Sequence, residues 1–212
     1  MRIGVLLASS QAAKSEMLYR AVLKYATGAE VICYGCWPES TEQYSYIETS
    51  LLAGLLLMSG GVDFVVTGCS SGQGMMLACN SFPGVLCGYV PTPRDAFLFA
   101  QINNGNAVSL PLGEGYTWAG SKNMEQTIEA LFSEPFGQGY PKNEADRKLR
   151  DTARLRELRN LSQVSVTQFL DRLDAPFMRK LLSKHDVMDD ILKSGHSDSL
   201  RCWLTGHMGT IS

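Results

Sequence analysis

Short apolar runs alternate with amphipathic segments along the first two thirds of the chain. The apolar runs are rich in β-branched residues and have the length of buried strands; they cover residues 2–7, 30–36, 63–67, 85–89 and 107–110. The segments between them are apolar at helical spacing; they cover residues 14–27, 47–59, 72–80, 93–103 and 123–133. This alternation predicts an α/β protein with a parallel sheet and helices on both of its faces.

The pattern changes near residues 136–141, where Gly137, Gly139 and Pro141 interrupt it. The remaining chain is charged, with helical periodicity at residues 143–160 and 175–193 and no strand-like run. A segment of this size is too small for an independent core. We therefore expect a Rossmann-like, three-layer αβα domain with five parallel strands over residues 1–140. A helical C-terminal extension over residues 141–212 would pack on that domain or on a neighbouring subunit.

The most informative segment begins in the third predicted strand and ends in the following helix. Its β-branched run ends at Cys69, and the glycine-rich loop Ser70-Ser71-Gly72-Gln73-Gly74 follows. Ligands of parallel α/β sheets bind at the carboxyl ends of the strands. The N–H groups at a helix start suit an anion or a developing oxyanion, and they favour the thiolate form of a cysteine. Cys69 is therefore a candidate base or nucleophile, and the loop is a candidate ligand cradle.

Composition and charge narrow the class of protein. The formal net charge is −2, so no general positive field attracts nucleic acid. No apolar run is long enough to span a bilayer, and no signal peptide is recognisable, which favours a cytoplasmic protein. Cys33 and Cys36 form a C-x-x-C without a second such pair or a nearby histidine. We interpret them as buried thiols in a reducing compartment, not as a metal site.

Residues 1–140 resemble the type-B ribose-5-phosphate isomerases and the galactose-6-phosphate isomerase subunits. The loop after Gly68 is similar to the family's Cys-Gly-Thr-Gly-x-Gly motif, and Tyr44 stands in the position of an Asp-Tyr-Pro motif. Five segments match in order and spacing; they cover residues 31–37, 43–46, 68–75, 80–85 and 103–108. Five segments in register are much stronger evidence than one glycine-rich loop.

The resemblance implies interconversion of an aldose and a ketose phosphate through an enediolate, without a metal or a cofactor. Cys69 would be the base, and Ser71 keeps the hydroxyl of the family threonine. Tyr44 and Asn103 keep the family residues that contact the sugar, and the loop residues Ser70, Gly72, Gln73 and Gly74 would hold the substrate. The family's sites lie between subunits, which implies a homodimer or a higher homo-oligomer.

Three departures from the family concern substrate binding. The Asp-His pair after the first strand is replaced by Ala8-Ser9-Ser10-Gln11, and the ring-opening histidine is Ile102. The positions of the phosphate-binding arginines read Tyr140 and Glu144. Replacement donors would be Ser9, Ser10 and Gln11 after the first strand. Replacement cations would be Arg94, Lys142, Arg147 and Arg150.

The missing ring-opening group leaves two explanations. The substrate could be a short, open-chain sugar phosphate, such as a four-carbon sugar 4-phosphate, which cannot close a five-membered ring. Alternatively, His185, His196 or His207 of the extension could supply the acid.

Two further classes of function stay open. The protein could be a non-catalytic binder of sugar phosphates on the same fold. It could also be a nucleotide-binding module, although the loop lacks both the Gly-Lys-Ser/Thr of a P-loop and an acidic partner for ribose.

Overall fold

The computed structural model describes residues 1–208 and confirms the predicted fold class. Its core is one five-stranded, all-parallel sheet with the strand order β2-β1-β3-β5-β4. The strands are β1 Arg2–Leu7, β2 Glu30–Cys33, β3 Phe64–Cys69, β4 Cys87–Tyr89 and β5 Ala107–Pro111. The central strand β3 is buried along its whole length, as expected for a parallel sheet covered on both faces.

Helices cover both faces of the sheet. The five that alternate with the strands are α1 Ser15–Tyr25, α2 Tyr46–Ser59, α3 Gln73–Ser81, α4 Pro93–Leu98 and α5 Gly120–Leu131. A 3-10 segment Ser9–Lys14 precedes α1, and a π-helical turn Phe99–Asn103 continues α4. Apolar residues of α1, α4 and α5 form one core with the sheet, and those of α2 and α3 form a second core on the other face.

Five more helices follow the sheet domain. They are α6 Ala145–Ser162, α7 Val166–Leu170, α8 Ala175–Leu182, α9 His185–Ser194 and α10 Asp198–Met208. The single helix predicted over residues 175–193 is wrong, because Lys184 leaves helical geometry with ψ 75° and separates α8 from α9. The Lys184 ammonium donates to the carbonyl oxygen of Tyr34 at 2.7 Å, so a tertiary contact holds this break.

Helix α2 explains how the extension joins the domain. Ten of its residues are buried, and they cover its whole circumference instead of one stripe. A helix that is apolar on all sides requires cover on all sides. The extension provides it, with core residues from α7 to α10 in the same cluster as α2: Leu170, Met178, Leu181, Leu182, Val187, Met188, Ile191, Leu200 and Leu204.

A polar network fastens α9 to the first strand. The Asp190 carboxylate accepts hydrogen bonds from the Tyr34 hydroxyl at 2.6 Å, from Arg2 Nη2 at 3.1 Å and from Ser194 Oγ at 3.0 Å. Burial opposes the charge on Asp190, but these hydrogen bonds outweigh it and hold the pKa of Asp190 below its usual value. The extension is therefore held by polar as well as apolar contacts.

In the part of the chain from residue 1 to 208, no helix combines the length and the apolar character needed to cross a membrane.

Candidate active site

Cys69 is the last residue of β3 and lies at the carboxyl edge of the sheet, as its sequence context predicts. Its side chain is 6% exposed. The sulfur accepts a hydrogen bond from the backbone N–H of Gly72 at 3.2 Å. The carbonyl oxygen of Cys69 accepts from the N–H of Leu112 at 3.0 Å, so the end of β5 holds the backbone beside it.

The turn after Cys69 requires glycine at position 72. Gly72 has φ 74°, and a Cβ there would lie 2.8 Å from Leu110 C, Pro111 N and Tyr89 Cε2. Gly72 is also the N-cap of α3, where no side chain caps the helix. Within residues 1–208 the N–H groups of Ser71, Gln73 and Gly74 have no protein acceptor. These donors stand at the positive end of α3, next to the thiol.

The two serines of the loop differ in their surroundings. Ser70 is fixed on two sides, because its Oγ accepts from Gln11 Nε2 at 3.0 Å and its carbonyl oxygen from the N–H of Gly113 at 2.9 Å. Ser71 is half-buried, and its hydroxyl makes no hydrogen bond within the described chain. It does not cap α3, since Gly72 is the N-cap. A bound ligand could therefore use the Ser71 hydroxyl.

Ser9, Ser10 and Tyr44 share this edge of the sheet but not one role. Ser9 Oγ accepts from the N–H of Tyr44 at 2.8 Å, and the N–H of Ser9 donates to the Tyr44 carbonyl oxygen at 2.9 Å. This pair joins the segment after β1 to the one before α2. Ser10 is exposed and makes no hydrogen bond in the described residues. Of the two predicted serine donors, Ser9 is thus occupied within the protein.

The ring of Tyr44 lies beneath the extension. Its side chain is 3% exposed, with the Lys180 ammonium 4.6 Å from the ring centroid and the hydroxyl 3.4 Å from Ser183 Oγ. A cavity of about 250 Å³ opens beside it, lined also by Cys36, Lys184 and His185. Packing explains the position of Tyr44, and a contact with substrate requires an approach through this cavity.

Lys14 lies at this edge and was missed by sequence reasoning. Its ammonium donates to the carbonyl oxygen of Leu112, is 3.7 Å from Glu114 Oε1 and lies 4.6 Å from the Trp118 ring centroid. These partners are about a hundred positions away in sequence. No local pattern around Lys14 indicates this position.

Asn103 lies at the edge of the sheet opposite to Cys69, so the two residues do not meet within one chain. Cys69 pairs in register with Pro111 and Val65 with Ala107, and Asn103 precedes that whole strand. Four strand residues alone span about 13 Å. The side chain of Asn103 is exposed and makes no hydrogen bond within residues 1–208. The left-handed residue that ends the helical turn is Asn104, with φ 46°.

The proposed replacement cations also lie away from Cys69. Arg94 follows the edge strand β4, two strands from β3, and its guanidinium is 5.7 Å from the Tyr140 ring centroid. Arg147 lies on helix α6 and forms ion pairs with Asp151 of the same helix and with Glu144 just before it. That helix runs along the amino edge, where Thr152 Oγ1 donates to the Ile102 carbonyl oxygen at 2.8 Å. Arg150 lies exposed on the same helix, and Lys142 lies exposed just before it.

The three histidines are dispersed over the extension. His185 lines the cavity beside Tyr44. The N–H of His196 donates to the Ser59 carbonyl oxygen at 2.6 Å, at the amino edge of the sheet. His207 stacks on Trp203 within α10, with ring centroids 3.8 Å apart. Of these three, His185 alone lies near the carboxyl edge.

Of the two cysteines in the C-x-x-C, Cys36 is buried and Cys33 is half-buried. Burial raises the pKa of Cys33 and of Cys36, which keeps both in the thiol form. Within residues 1–208, no group of three or more histidine, cysteine or acidic side chains has an arrangement that could hold a metal ion.

Five surface cavities of the described residues have volumes of about 130 to 610 Å³, and Cys69 lines none of them. Within the single protomer, the buried Cys69 sulfur therefore does not open into any of these five cavities.

The fold and this edge define a class: a parallel α/β protein with a cysteine at a central strand end, beside an uncapped helix start. The sequence comparison gives the family. Residues 5–148 match the model of the Ribose/Galactose Isomerase family, and the chain belongs to that family. A search of the curated proteins finds no match.

Two solved structures resemble the chain over its full length, including the extension. A 4-deoxy-L-threo-5-hexosulose-uronate ketol-isomerase complexed with a tartrate is 35% identical, with TM-score 0.91 over 97% of this chain and 98% of that chain. A ribose-5-phosphate isomerase from Vibrio parahaemolyticus is 33% identical, with TM-score 0.90 over 100% of this chain and 99% of that chain.

The type-B ribose 5-phosphate isomerase from Trypanosoma cruzi shares the fold only. It is 22% identical with TM-score 0.63, and the match covers 99% of that chain but 76% of this one.

Proposed function

We propose that the protein is an aldose–ketose isomerase that uses Cys69 as the base for proton transfer between C1 and C2 of an open-chain sugar. The observation that carries this proposal is the Gly72 N–H donated to the Cys69 sulfur at the uncapped start of α3. It combines a base with N–H donors for the charge that the base creates. Membership of the Ribose/Galactose Isomerase family supports the reaction class.

The chemistry moves two hydrogens and needs no co-reactant. The Cys69 thiolate takes the proton from C2 of the aldose, and the released electron pair forms the C1–C2 double bond. The carbonyl electrons move to O1, where the N–H groups of Ser71, Gln73 and Gly74 stabilise the enediolate. The proton then returns to C1, and the C2 hydroxyl proton passes to O1, which gives the ketose. We assign the relay of this second proton to the Ser71 hydroxyl, which makes no hydrogen bond within the described chain.

The departures from the phosphosugar pattern favour a substrate with a carboxylate. The 35% identical relative is named for 4-deoxy-L-threo-5-hexosulose uronate. In the keto form of that sugar, neither C4 nor C5 carries a hydroxyl that could close a five- or six-membered ring on the C1 aldehyde. Such a substrate needs no ring-opening acid, in agreement with Ile102 at the family's histidine position. Its anionic group is a C6 carboxylate, in agreement with the missing phosphate-binding arginines. We propose an open-chain hexosulose uronate as the substrate.

A phosphorylated pentose is the second candidate. The 33% identical relative is named a ribose-5-phosphate isomerase, and it covers the whole of this chain. A direct comparison of substrates separates the two candidates.

We also propose that a second copy of the chain completes the site, and the position of Asn103 supports this. Asn103 lies at the amino edge of its own sheet. In an antiparallel pair of subunits, that edge faces the carboxyl edge of the partner. Asn103 would then act on the substrate held by the Cys69 of the other copy, in keeping with the family's intersubunit sites.

The test is turnover on 4-deoxy-L-threo-5-hexosulose uronate, ribose 5-phosphate and erythrose 4-phosphate, followed by NMR. We expect the uronate to be the preferred substrate and Cys69→Ser to lower kcat by about 10²- to 10⁴-fold. Cys202→Ser, at an exposed position, is the matched control and should keep wild-type turnover.

Each part of the proposal can fail separately. Preference for ribose 5-phosphate would refute the uronate, and wild-type kcat in Cys69→Ser would refute the base. Binding of all three sugars without turnover would establish the non-catalytic alternative.

A further inference from the structure

The side chain of Lys14 crosses the carboxyl edge of the sheet toward the end of β5. Its ammonium donates to the carbonyl oxygen of Leu112, and the N–H of Leu112 donates to the carbonyl oxygen of Cys69 at 3.0 Å. Lys14 and Cys69 thus contact the same residue through its two backbone polar groups. The Lys14 side chain is 16% exposed, so its stem is buried and its position is constrained.

The charge of Lys14 is weakly compensated. An ammonium has three N–H donors, and the described residues give this one a single hydrogen bond, to Leu112. Glu114 is 3.7 Å away, beyond hydrogen-bond distance, and its side chain is 82% exposed, so this ion pair is weak. The ring of Trp118, 4.6 Å away, orients the ammonium without using a donor. Two N–H donors remain available for an anion.

Residues near Lys14 contact the loop that follows Cys69 at the same edge of the sheet. Gln11, three residues before it, donates to Ser70 Oγ at 3.0 Å, and the N–H of Gly113 donates to the Ser70 carbonyl oxygen at 2.9 Å. Ser70 directly follows Cys69. Lys14 therefore belongs to the polar surroundings of the loop that carries the base, on the side of β5.

The other cations near this edge are already engaged or distant. Lys184 donates to both carboxylate oxygens of Asp186 and to the Tyr34 carbonyl oxygen. Lys180 is paired with Glu42. Arg94 lies two strands from Cys69, over the ring of Tyr140. Of these cations, Lys14 is the one with free donors close to the backbone of Cys69.

A hexosulose uronate that reacts at C1 and C2 carries its charge at C6, four bonds from C2. Its binding requires a cation that lies at the same edge as the base and does not contact the reacting carbons. We infer that Lys14 is this cation and that it binds the C6 carboxylate of the substrate. The inference rests on the proposed function and deepens it.

The binding test uses tartrate, a four-carbon hydroxy diacid, and threitol, its neutral counterpart. Calorimetric titrations of the full-length protein compare wild type with Lys14→Met and Lys24→Met. Lys24 is a matched control, because it also pairs with a carboxylate, Glu125 at 2.6 Å, and lies over an aromatic ring, Tyr25 at 4.7 Å. We expect Lys14→Met to lower the affinity for tartrate at least about tenfold and Lys24→Met to leave it unchanged. Threitol should bind weakly, with the same affinity for all three proteins.

Kinetics separate a carboxylate contact from a structural role. We expect Lys14→Met to raise KM for the uronate about tenfold or more with a smaller change in kcat, and Lys14→Arg to restore part of the loss. Unchanged tartrate affinity in Lys14→Met would overturn the inference. An equal loss of tartrate affinity in Lys24→Met would also overturn it, and so would a loss in Lys184→Met but not in Lys14→Met.

The two proposals fail in different ways. If wild type turns over the uronate while Lys14→Met leaves tartrate affinity and KM unchanged, the carboxylate site is wrong and the isomerase stands. If the wild-type protein turns over none of the sugars, but Lys14→Met lowers the affinity for tartrate, the proposed carboxylate site stands and the proposed isomerase activity is wrong.

Discussion

At the scale of single residues, Gly72 determines where the Cys69 sulfur lies relative to the next helix. Its positive φ turns the chain so that its own N–H meets the sulfur and α3 begins one residue later. Its carbonyl oxygen accepts from the Ser109 hydroxyl at 2.7 Å, which ties the turn to β5. The geometry of the candidate base therefore depends on a residue that brings no functional group of its own.

We predict that Gly72→Ala destabilises the protein far more than Gly28→Ala. Both glycines have φ near 75°, but a Cβ at Gly28 meets nothing within 4 Å, whereas one at Gly72 meets β5 backbone at 2.8 Å. We expect a loss of about 1 kcal/mol for Gly28→Ala and roughly 2–4 kcal/mol for Gly72→Ala, measured by urea unfolding. Equal losses in the free energy of unfolding would show that the close contact between a Cβ at position 72 and the β5 backbone does not destabilise the protein.

The sequence predicts the part of the site that is local in the chain. Cys69, the glycine-rich loop and the helix start occupy consecutive positions, so the sequence alone predicts that they lie together. Lys14 was not predictable, because its contacts depend on the end of β5. Asn103 was correctly placed at the end of a helical segment, but only the register of β3 and β5 shows which edge of the sheet it occupies.

At the scale of elements, the apolar character of α2 was visible in the sequence, but its consequence was not. The all-round pattern requires cover on the face away from the sheet, and α7 to α10 provide it. Two of these helices, α7 and α10, were not predicted. Helix α7 has only five residues, too few for a periodic pattern, and its start depends on a capping box between Ser165 and Gln168.

The Asp190 network predicts a pH-dependent attachment of α9 to β1. Because the folded-state pKa of Asp190 lies below its unfolded value, its stabilisation is fully present above about pH 4. It is lost as the pH falls through the folded-state pKa. We expect Asp190→Asn to lower the free energy of unfolding by about 1–3 kcal/mol at pH 7, with a gap to wild type that closes on acidification.

Asp189→Asn is the control for this measurement. Asp189 is the exposed neighbour on the same helix and has no partner in residues 1–208. Denaturant unfolding of both variants between pH 3 and pH 7 gives the comparison. A gap for Asp190→Asn that stays constant over this range would show that its charge is not responsible.

At the scale of the whole molecule, the candidate base Cys69 and Asn103 occupy opposite edges of one sheet. If two copies share each site, Cys69→Ser and Asn103→Ala proteins are each inactive. A mixed dimer has one site with both changes and one site with neither. We predict that mixing the two, with subunit exchange under mild denaturant, restores about a quarter of wild-type activity.

The control for this experiment is the mixture of Cys69→Ser with Cys69→Ala, which must remain inactive in every combination. If the Cys69→Ser and Asn103→Ala mixture also remains inactive after exchange is verified by mass spectrometry, the site does not combine these two residues from different copies.

The position of the helical cover in the chain has a consequence for synthesis. Helix α2 ends at Ser59, but the residues that cover it extend to Leu204. At roughly 5–20 residues per second, a ribosome needs on the order of ten seconds or more to make the intervening segment. During that time the face of α2 that points away from the sheet has no permanent cover in the nascent chain. The outer face of α2 is thus covered only after the residues up to Leu204 have been made, although the last strand of the sheet ends at Pro111.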